Sequence, residues 1–309
     1  AAVPVSVSEP EKLCLHVPDR GVRVAQAERG AGARIRHADL MTAGREIQSR
    51  RMGAYTRKMV PRVALDDLVA PDRVKRTLRE IIQTIRYRHI VFSDWGFGEK
   101  VATGKGLCAL FSGPPGTGKS MSAQVIAREL GMNLFRVNLA RVVSKYIGET
   151  EENLAKVFEE ARESHSVLLF DEADALFSKR TKVKSAQDRY ANLEVNFLLQ
   201  EVESFEGMVV LTSNLESMID KAFKRRLNYR VYFPFPDVGA RVEIWKKHFP
   251  SKAPLGEDID FQVLAEDFEV SGGYIKNAVV RAAQWAAEGS GLITHDLLAK
   301  AAEVEMAET

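Results

Sequence analysis

Short apolar runs alternate with amphipathic stretches between about residue 65 and residue 236 of the chain. A run of four to six apolar residues bounded by turn formers is typical of a buried strand, whereas apolar residues three and four apart indicate a helix. The pattern predicts strands at 106–111, 133–138, 167–170, 208–212 and 230–233, and helices at 71–87, 119–130, 151–163 and 190–203. Strands that alternate with helices indicate an α/β fold, in which a mostly parallel sheet is covered on both faces.

The pattern changes after Pro236, where no further strand is predicted. Helices are predicted there at 238–248, 274–288 and 295–307. We therefore expect two domains, an α/β domain over about 61–236 and a smaller α-helical domain over about 237–309.

The first sixty residues follow neither pattern. Strand-like residues at 12–17 and 21–24 precede a basic segment over about 39–59 that is predicted to be helical, and Pro61 marks a linker. We treat residues 1–60 as an N-terminal extension. It either docks a partner or packs on the rest of the protein as a structural arm.

Composition excludes few classes of protein. The 309 residues are 45% hydrophobic, and 44 Lys and Arg nearly balance 42 Asp and Glu, so a net charge of +2 does not argue for a nucleic-acid partner. No apolar run approaches the ~20 residues that span a bilayer, and no secretory signal is recognisable, so we expect no membrane partner. Cys14 and Cys108 fit neither a disulfide framework nor a metal site, which favours a reducing, cytoplasmic setting.

The segment GPPGTGKS at 113–120 fits the phosphate-binding pattern G-x-x-x-x-G-K-[ST] in full, between a predicted strand and a predicted helix. Its glycines let backbone N–H groups turn toward phosphate oxygens, and the helix N-terminus adds positive potential. We expect Lys119 to reach the β- and γ-phosphates of ATP and Ser120 to bind Mg²⁺. The predicted nucleotide contacts are Gly113, Pro114, Pro115, Gly116, Thr117, Gly118, Lys119, Ser120 and Met121.

Two carboxylates follow the apolar run at 167–170. A parallel strand presents its carboxyl end at the edge of the sheet where ligands bind. There Asp171 is expected to hold Mg²⁺ through water, and Glu172 to orient and polarise an attacking water. The predicted metal ligands are therefore Ser120 and Asp171, and the predicted cofactors are ATP and Mg²⁺.

Over about 65–306 the chain resembles the AAA+ ATPases, and among them the AAA clade. The resemblance rests on GPPGTGKS (113–120), SKYIGETEENL (144–154), LLFDEAD (168–174), LTSN (211–214), DKAFKRRLNYRVYFPFPD (220–237) and SGGYIKNAVVRAA (271–283). More narrowly, WGFGEK at 95–100 and DRYANLEVNFLLQ at 188–200 resemble bacterial Cdc48-like members, some of which accompany contractile injection systems. The resemblance implies a P-loop NTPase domain with a parallel sheet, followed by a small α-helical lid domain.

The resemblance also implies how hydrolysis is completed. Asn214 is similar to the sensor that positions the attacking water beside Glu172. Arg225 and Arg226 resemble arginine fingers, which reach the ATP of a neighbouring subunit and stabilise transition-state charge. A site completed by a second copy requires a homo-oligomeric ring, and the family implies a hexamer.

Residues around the adenine are implied in the same way. Asp67 and Leu68 are expected to flank the base. Gly272 and Gly273 open a helix that is expected to pack near the adenine and ribose. Lys276 takes the place nearest to a second sensor, although the AAA clade lacks the arginine that other AAA+ groups carry there.

Lys145, Tyr146 and Ile147 resemble the aromatic pore loop of the family's protein unfoldases and remodellers. An aromatic side chain beside an aliphatic one can pack between the side chains of an extended polypeptide of almost any sequence. The resemblance therefore implies a protein client that is unfolded, disassembled or remodelled. A Tyr at a loop tip can instead be a half-buried anchor, and the basic segment at 179–188 is either a second pore loop or a solvated loop.

Two other functions are compatible with parts of the sequence. A nucleic-acid motor or loader would use the basic residues at 45–58 and 179–184, with Tyr146 stacked on bases. The near-neutral charge and the lack of a recognisable DNA-binding module argue against it, and salt-dependent affinity for single-stranded DNA would reveal it. A scaffold that binds ATP but hydrolyses it poorly is disfavoured by Glu172, Asn214 and the arginine pair.

Overall fold

The computed structural model describes residues 55–100, 106–144, 148–174, 196–215, 225–289 and 291–307, all within one compact unit, Met52–Thr309. The strands predicted at 12–17 and 21–24 lie outside the described residues, as does most of the predicted basic helix. The division into an N-terminal extension, an α/β domain and a helical lid therefore stays a prediction.

A six-stranded sheet forms the centre of the described structure. Its strands are β1 (Thr56–Met59), β2 (Leu107–Ser112), β3 (Leu134–Val137), β4 (Val167–Phe170), β5 (Met208–Ser213) and β6 (Tyr229–Tyr232), in the order β1-β3-β4-β5-β2-β6. β2 pairs in parallel with β5 and β6, and β4 pairs in parallel with β3 and β5. The carboxyl ends of β3, β4, β5 and β2 therefore meet along one edge of the sheet.

The prediction of a basic helix over about 39–59 is wrong at its C-terminal end. Thr56–Met59 form β1, which pairs antiparallel with β3 in the register Thr56↔Val137. The outer edge of β3 offers unpaired backbone N–H and C=O groups, and β1 satisfies them. This contact joins segments far apart in sequence, so the local pattern of basic residues could not show it.

Four helices cover the two faces of the sheet: α1 (Asp72–Arg86), α2 (Lys119–Leu130), α3 (Glu149–Ser164) and α4 (residues 196–204). Alternate residues of β2 enter two different apolar clusters, because successive strand side chains point to opposite faces. Cys108 and Leu110 pack with residues of α3 and α4 such as Phe158, whereas Phe111 packs with residues of α1 and α2. The predicted α/β fold is confirmed, with Cys108 as a small buried side chain.

The C-terminal part consists of helices α5 (Val238–Lys247), α6 (Phe261–Asp267), α7 (Gly272–Glu288) and α8 (His295–Ala307). They enclose a third apolar cluster that contains the fully buried Trp245. The buried carboxylate of Glu305 in α8 accepts from Arg281 and Asn277 of α7, which ties the two longest of these helices together. None of the helices in the described ranges is both long and apolar enough to cross a membrane.

Short helical turns complete the described chain. They lie at Leu65–Asp67, Ile90–Asp94, Phe97–Lys100 and Leu139–Val142. The turn at Leu65–Asp67 begins where the side chain of Asp67 accepts from the backbone N–H of Ala64 at 2.8 Å. It is followed directly by Leu68, which is buried against α1 and the sheet.

Candidate active site

The loop between β2 and α2 turns at three glycines with positive φ: Gly113 (137°), Gly116 (74°) and Gly118 (98°). These are conformations that residues with a Cβ rarely adopt. Gly113 is constrained twice, because a Cβ there would lie 2.1 Å from the backbone oxygen of Phe233, just after β6. The loop is therefore built on glycine both for its turns and for its close approach to the neighbouring chain.

Lys119 is the first residue of α2, and its side chain folds back into the loop. Its Nζ donates to the carbonyl oxygens of Gly113 and Pro114, each at 2.7 Å, and the residue is only 7% exposed. Burial lowers the pKa of Lys119, while the nearby carboxylates of Asp171, Asp174 and Glu172 oppose that shift. A cation held among backbone dipoles at a helix N-terminus is suited to binding a polyphosphate.

Asp171, just after β4, is held by side chains from three other elements. Its Oδ1 accepts from Ser120 Oγ at 2.6 Å and from Thr212 Oγ1 at 2.7 Å. Its Oδ2 pairs with Nη2 of Arg136 at 3.0 Å. The structure thus brings Ser120 and Asp171 together as predicted, and a hydroxyl beside a carboxylate is a pair of hard oxygen donors that fits Mg²⁺.

Glu172 has a left-handed backbone with φ of 55°, which is uncommon for a residue other than glycine. The turn is held by a hydrogen bond from its N–H to Thr212 Oγ1 at 2.9 Å. Its side chain is exposed beside Asp171, in a position open to solvent water. Local strain of this kind persists only where surrounding contacts impose it, and it is common at active sites.

Asn214 lies at the end of β5 and is tied to the turn after β4. Its backbone N–H donates to Asp174 Oδ2 at 2.8 Å, and the hydroxyl of Ser213 donates to Asp174 Oδ1. Asp174 therefore links the segment that carries Glu172 to the segment that carries Asn214. The Asn214 side chain is exposed at the same edge of the sheet.

Sequence reasoning missed three residues that shape this edge: Arg136, Asp174 and Thr212. A weak signal existed for Asp174 and Thr212, since both stand inside the quoted segments at 168–174 and 211–214. Arg136 gave a different signal, because it is the single charged residue in the strand predicted at 133–138. The order of the strands decides which partner each of the three residues contacts.

The first turn of α7 contacts the phosphate loop. The N–H of Gly273 donates to the carbonyl oxygen of Gly116 at 3.1 Å. A Cβ on Gly116 would lie 2.2 Å from Oγ of Ser271, which is buried and has no hydrogen-bond partner among the described residues. Gly272 also lies close to the loop, since a Cβ on Gly272 would be 3.2 Å from the carbonyl oxygen of Gly116. The C-terminal helices thus reach the loop through small residues.

Four other predicted nucleotide contacts lie at the Leu65–Asp67 turn, on α2 and on α7. A Cβ on Gly118 would lie 3.2 Å from Leu68 Cδ1, so Leu68 packs directly on the loop. Asp67 is exposed and caps its own helical turn. Met121 is partly buried against the apolar cluster, and Lys276 is exposed on α7. The nucleotide-binding roles of these residues stay predictions.

The remaining predicted residues lie apart from the loop or outside the described ranges. Arg225 and Arg226 are exposed just before β6, and Nε of Arg226 pairs with Glu203 of α4. Lys145, Tyr146 and Ile147 lie outside the described residues, as does the segment at 179–188. In the described ranges, no group of three or more His, Cys, Asp and Glu could hold a metal ion. Mg²⁺ bound with phosphates does not require such a group.

Comparisons with known proteins agree with this geometry. Residues 109–235 match the sequence model of the "ATPase family associated with various cellular activities (AAA)". The chain is 31% identical over 258 residues to the cell division cycle protein 48 homolog of Archaeoglobus fulgidus, covering 81% of this chain and 34% of that protein. It is 31% identical over 252 residues to the proteasome-activating nucleotidase of Methanopyrus kandleri, covering 79% of this chain and 56% of that protein.

A third relative is an uncharacterized AAA family ATPase of Sinorhizobium fredii, 39% identical over 146 residues, with 46% of this chain and 44% of that protein covered. The crystal structure of the FIGL-1 AAA domain superposes with a TM-score of 0.63 at 23% identity, over 84% of this chain and 88% of that one, which shows a shared fold. The chain spans about a third to just over half the length of the three curated relatives. Together with the phosphate loop and the paired carboxylates after β4, these matches show that the chain contains an ATPase domain of the AAA family.

Proposed function

We propose that this chain hydrolyses ATP and uses the energy, as one subunit of a homo-oligomeric ring, to remodel protein clients. The observation that carries the proposal is the cluster at the carboxyl edge of the sheet. There Lys119 and Ser120 begin α2, Asp171 contacts the Ser120 hydroxyl, and Glu172 and Asn214 flank it on neighbouring strand ends.

The phosphate loop and Lys119 bind the triphosphate. Backbone N–H groups at the start of α2 and the Lys119 ammonium group offer positive charge in a largely buried setting, where charge interactions are stronger than in water. Ser120 and Asp171 would hold Mg²⁺, which would neutralise phosphate charge when bound. The hydrogen bond from Gly273 to Gly116 gives the loop a direct contact through which it can act on α7.

Glu172 and Asn214 act on the attacking water. The exposed carboxylate of Glu172 accepts a hydrogen bond from that water and orients it toward the γ-phosphate. Asn214 offers an amide donor and acceptor at the adjacent strand end. Asp174 keeps the two segments in register through its bonds to Ser213 and Asn214.

Arg225 and Arg226 act on the ATP of a neighbouring copy. Both side chains are exposed just before β6, and a guanidinium group presented to solvent can enter a second subunit's site. An arginine that is supplied by a neighbouring subunit makes ATP hydrolysis depend on assembly of the oligomer. A repeated contact of this head-to-tail kind closes into a ring, for which we propose six subunits.

The client is proposed to be a protein that contacts Lys145, Tyr146 and Ile147 in the ring's pore. Two hydrogen bonds join the residues on either side of this segment. The N–H of Ser144 donates to Thr150 Oγ1 at 3.0 Å, and Ser144 Oγ donates to Glu149 at 2.6 Å. Gly148, with φ of 88°, directly follows the segment and is the N-cap residue of α3. One relative is named a proteasome-activating nucleotidase, which agrees with action on proteins. We place this activity in the cytoplasm.

Two substitutions separate ATP binding from hydrolysis. Lys119→Ala removes a charge-assisted contact with the phosphates, so we expect ATP affinity to fall by about 10- to 100-fold. Glu172→Gln keeps the shape but loses the base, so we expect ATP affinity near wild type and turnover lower by about 10²- to 10⁴-fold. Calorimetry and phosphate release measure the two quantities. Full turnover in Lys119→Ala would refute the proposed site.

The Glu172→Gln variant also identifies the class of client, because it should hold ATP in the bound state. We expect this variant, with ATP, to retain a permanently unfolded protein, and the Tyr146→Ala double variant to retain far less. Retention is measured by size-exclusion chromatography, with ADP as the matched control. Binding of single-stranded DNA that weakens steeply with salt would instead favour the nucleic-acid motor.

A further inference from the structure

Arg136 is a charged residue at the end of β3, beside the strand that carries Asp171. It lies in register with Leu169 of β4, and its Nη2 is 3.0 Å from Asp171 Oδ2. The Arg136 side chain is 48% exposed, whereas that of Asp171 is only 12% exposed. A guanidinium group on the solvent side therefore neutralises a largely buried carboxylate.

Orientation of Asp171 does not depend on Arg136 alone. The other carboxylate oxygen, Oδ1, already accepts from Ser120 and Thr212, and these donors come from α2 and β5. Two hydroxyl contacts from separate elements are enough to fix the plane of a carboxylate. The distinctive contribution of Arg136 is its charge.

We propose that Arg136 tunes the magnesium dependence of nucleotide binding by acting through Asp171. A carboxylate paired with a guanidinium group attracts a dication less than an unpaired carboxylate does. The pair of Arg136 and Asp171 therefore lowers the attraction of this site for Mg²⁺. This inference rests on the proposed assignment of Ser120 and Asp171 to Mg²⁺.

The test compares the affinity of a non-hydrolysable ATP analogue, adenylyl imidodiphosphate, in excess Mg²⁺ and in EDTA. The ratio of the two affinities measures the coupling between metal and nucleotide. Arg136→Gln should raise this ratio about tenfold, because it removes a positive charge that lessens the attraction of Asp171 for Mg²⁺. A residue with a purely structural role would weaken both affinities alike and leave the ratio unchanged, and that result would overturn the inference.

Arg57→Gln is the matched control. Arg57 lies directly opposite Arg136 in the β1–β3 register and is exposed, so its substitution removes an equal charge beside the same strand without breaking the pair to Asp171. Its ratio should stay within about twofold of wild type. A rise equal to that of Arg136→Gln would show a general charge effect and would overturn the specific role of Arg136.

A double-variant cycle with Asp171→Asn tests the route of the effect. Arg136→Gln should change the ratio in the wild-type background and leave it nearly unchanged in the Asp171→Asn background. An equal change in both backgrounds would contradict action through Asp171. If Arg136→Gln does not fold, as judged by circular dichroism, Arg136→Met keeps the aliphatic stem and takes its place.

The same data separate this inference from the proposed function. A wild-type ratio of one would refute the assignment of Ser120 and Asp171 to Mg²⁺, and the inference would fall with it. A wild-type ratio well above one, unchanged in Arg136→Gln, would leave the metal site intact and refute only the role of Arg136.

Discussion

Glycines in the phosphate loop are needed both for the turns of the backbone and for packing, and the sequence pattern indicates only the turns. The spacing of glycines predicted a turn that exposes backbone N–H groups, and Gly113, Gly116 and Gly118 do have positive φ. Packing adds a second reason at Gly113, where the backbone of Phe233 leaves no room for a Cβ. The Gly113 carbonyl oxygen also accepts from Lys119, so a shift of this residue would move the lysine.

Gly113→Ala should therefore destabilise the protein more than an alanine at another glycine with positive φ. Gly96 is the matched control, because its φ is +74° and a Cβ there would meet nothing within 4 Å. We expect Gly96→Ala to lower the free energy of unfolding by about 1 kcal/mol through backbone strain. Gly113→Ala should cost about 1–3 kcal/mol more through the clash with Phe233 and should also weaken ATP binding. Chemical denaturation and calorimetry measure both effects, and equal losses in the two variants would contradict this account.

Residues that hold Asp171 and Glu172 in place were harder to predict than the two carboxylates themselves. Asp171 and Glu172 follow an apolar strand, and that local pattern indicated their position. Thr212 lies on a strand that is adjacent only in the folded sheet, yet it donates to Asp171 and accepts from Glu172. The sequence around a single polar residue at a strand end does not indicate which residue it will contact in the folded sheet.

Elements with strong local signals were predicted well. α2 and β4 have the predicted bounds, and α2 ends at Gly131, whose φ of 65° suits a helix C-terminus. α6 was missed, although Asp260 before it is a typical helix start whose side chain accepts from the N–H groups of Gln262 and Val263. Its seven residues are too few to show a clear helical period.

β1 shows why an element can be predicted wrongly. Thr56–Met59 are exposed at their two central residues and follow a basic, helix-compatible stretch. They become a strand because β3 offers an open edge, and pairing satisfies backbone groups on both segments. Strand preference depends more on neighbours than helix preference does, so edge strands are easily missed.

At the scale of the whole molecule, the site is proposed to be completed by a second copy. Arg225 and Arg226 are exposed, and the ion pair of Arg226 with Glu203 lies on the surface, where such pairs contribute little to stability. Exchange of that partner for a phosphate of the adjacent subunit would therefore cost little. At Arg226, the proposed contact with a neighbouring subunit would thus break only a surface ion pair.

Mixing two inactive variants tests the ring. The Arg225→Ala/Arg226→Ala double variant should bind ATP normally but lose turnover by about 10³- to 10⁵-fold. Glu172→Gln should also be inactive, yet a mixture should regain activity at interfaces where its arginines meet an intact Glu172. Arg230→Ala, which removes a nearby exposed arginine, should leave turnover unchanged. No recovery in mixed oligomers, or full activity of a strictly monomeric protein, would contradict the proposal.

The sequence by itself determined the α/β alternation, the phosphate loop and the two carboxylates after β4. These features follow from periodicity, glycine content and residue spacing, all of which act over a few neighbouring residues. Tertiary structure decided the antiparallel β1, the contact of α7 with the loop, and the partners of Asp171 and Asn214. Those contacts join segments that become neighbours only when strands from distant parts of the chain take their order in one sheet.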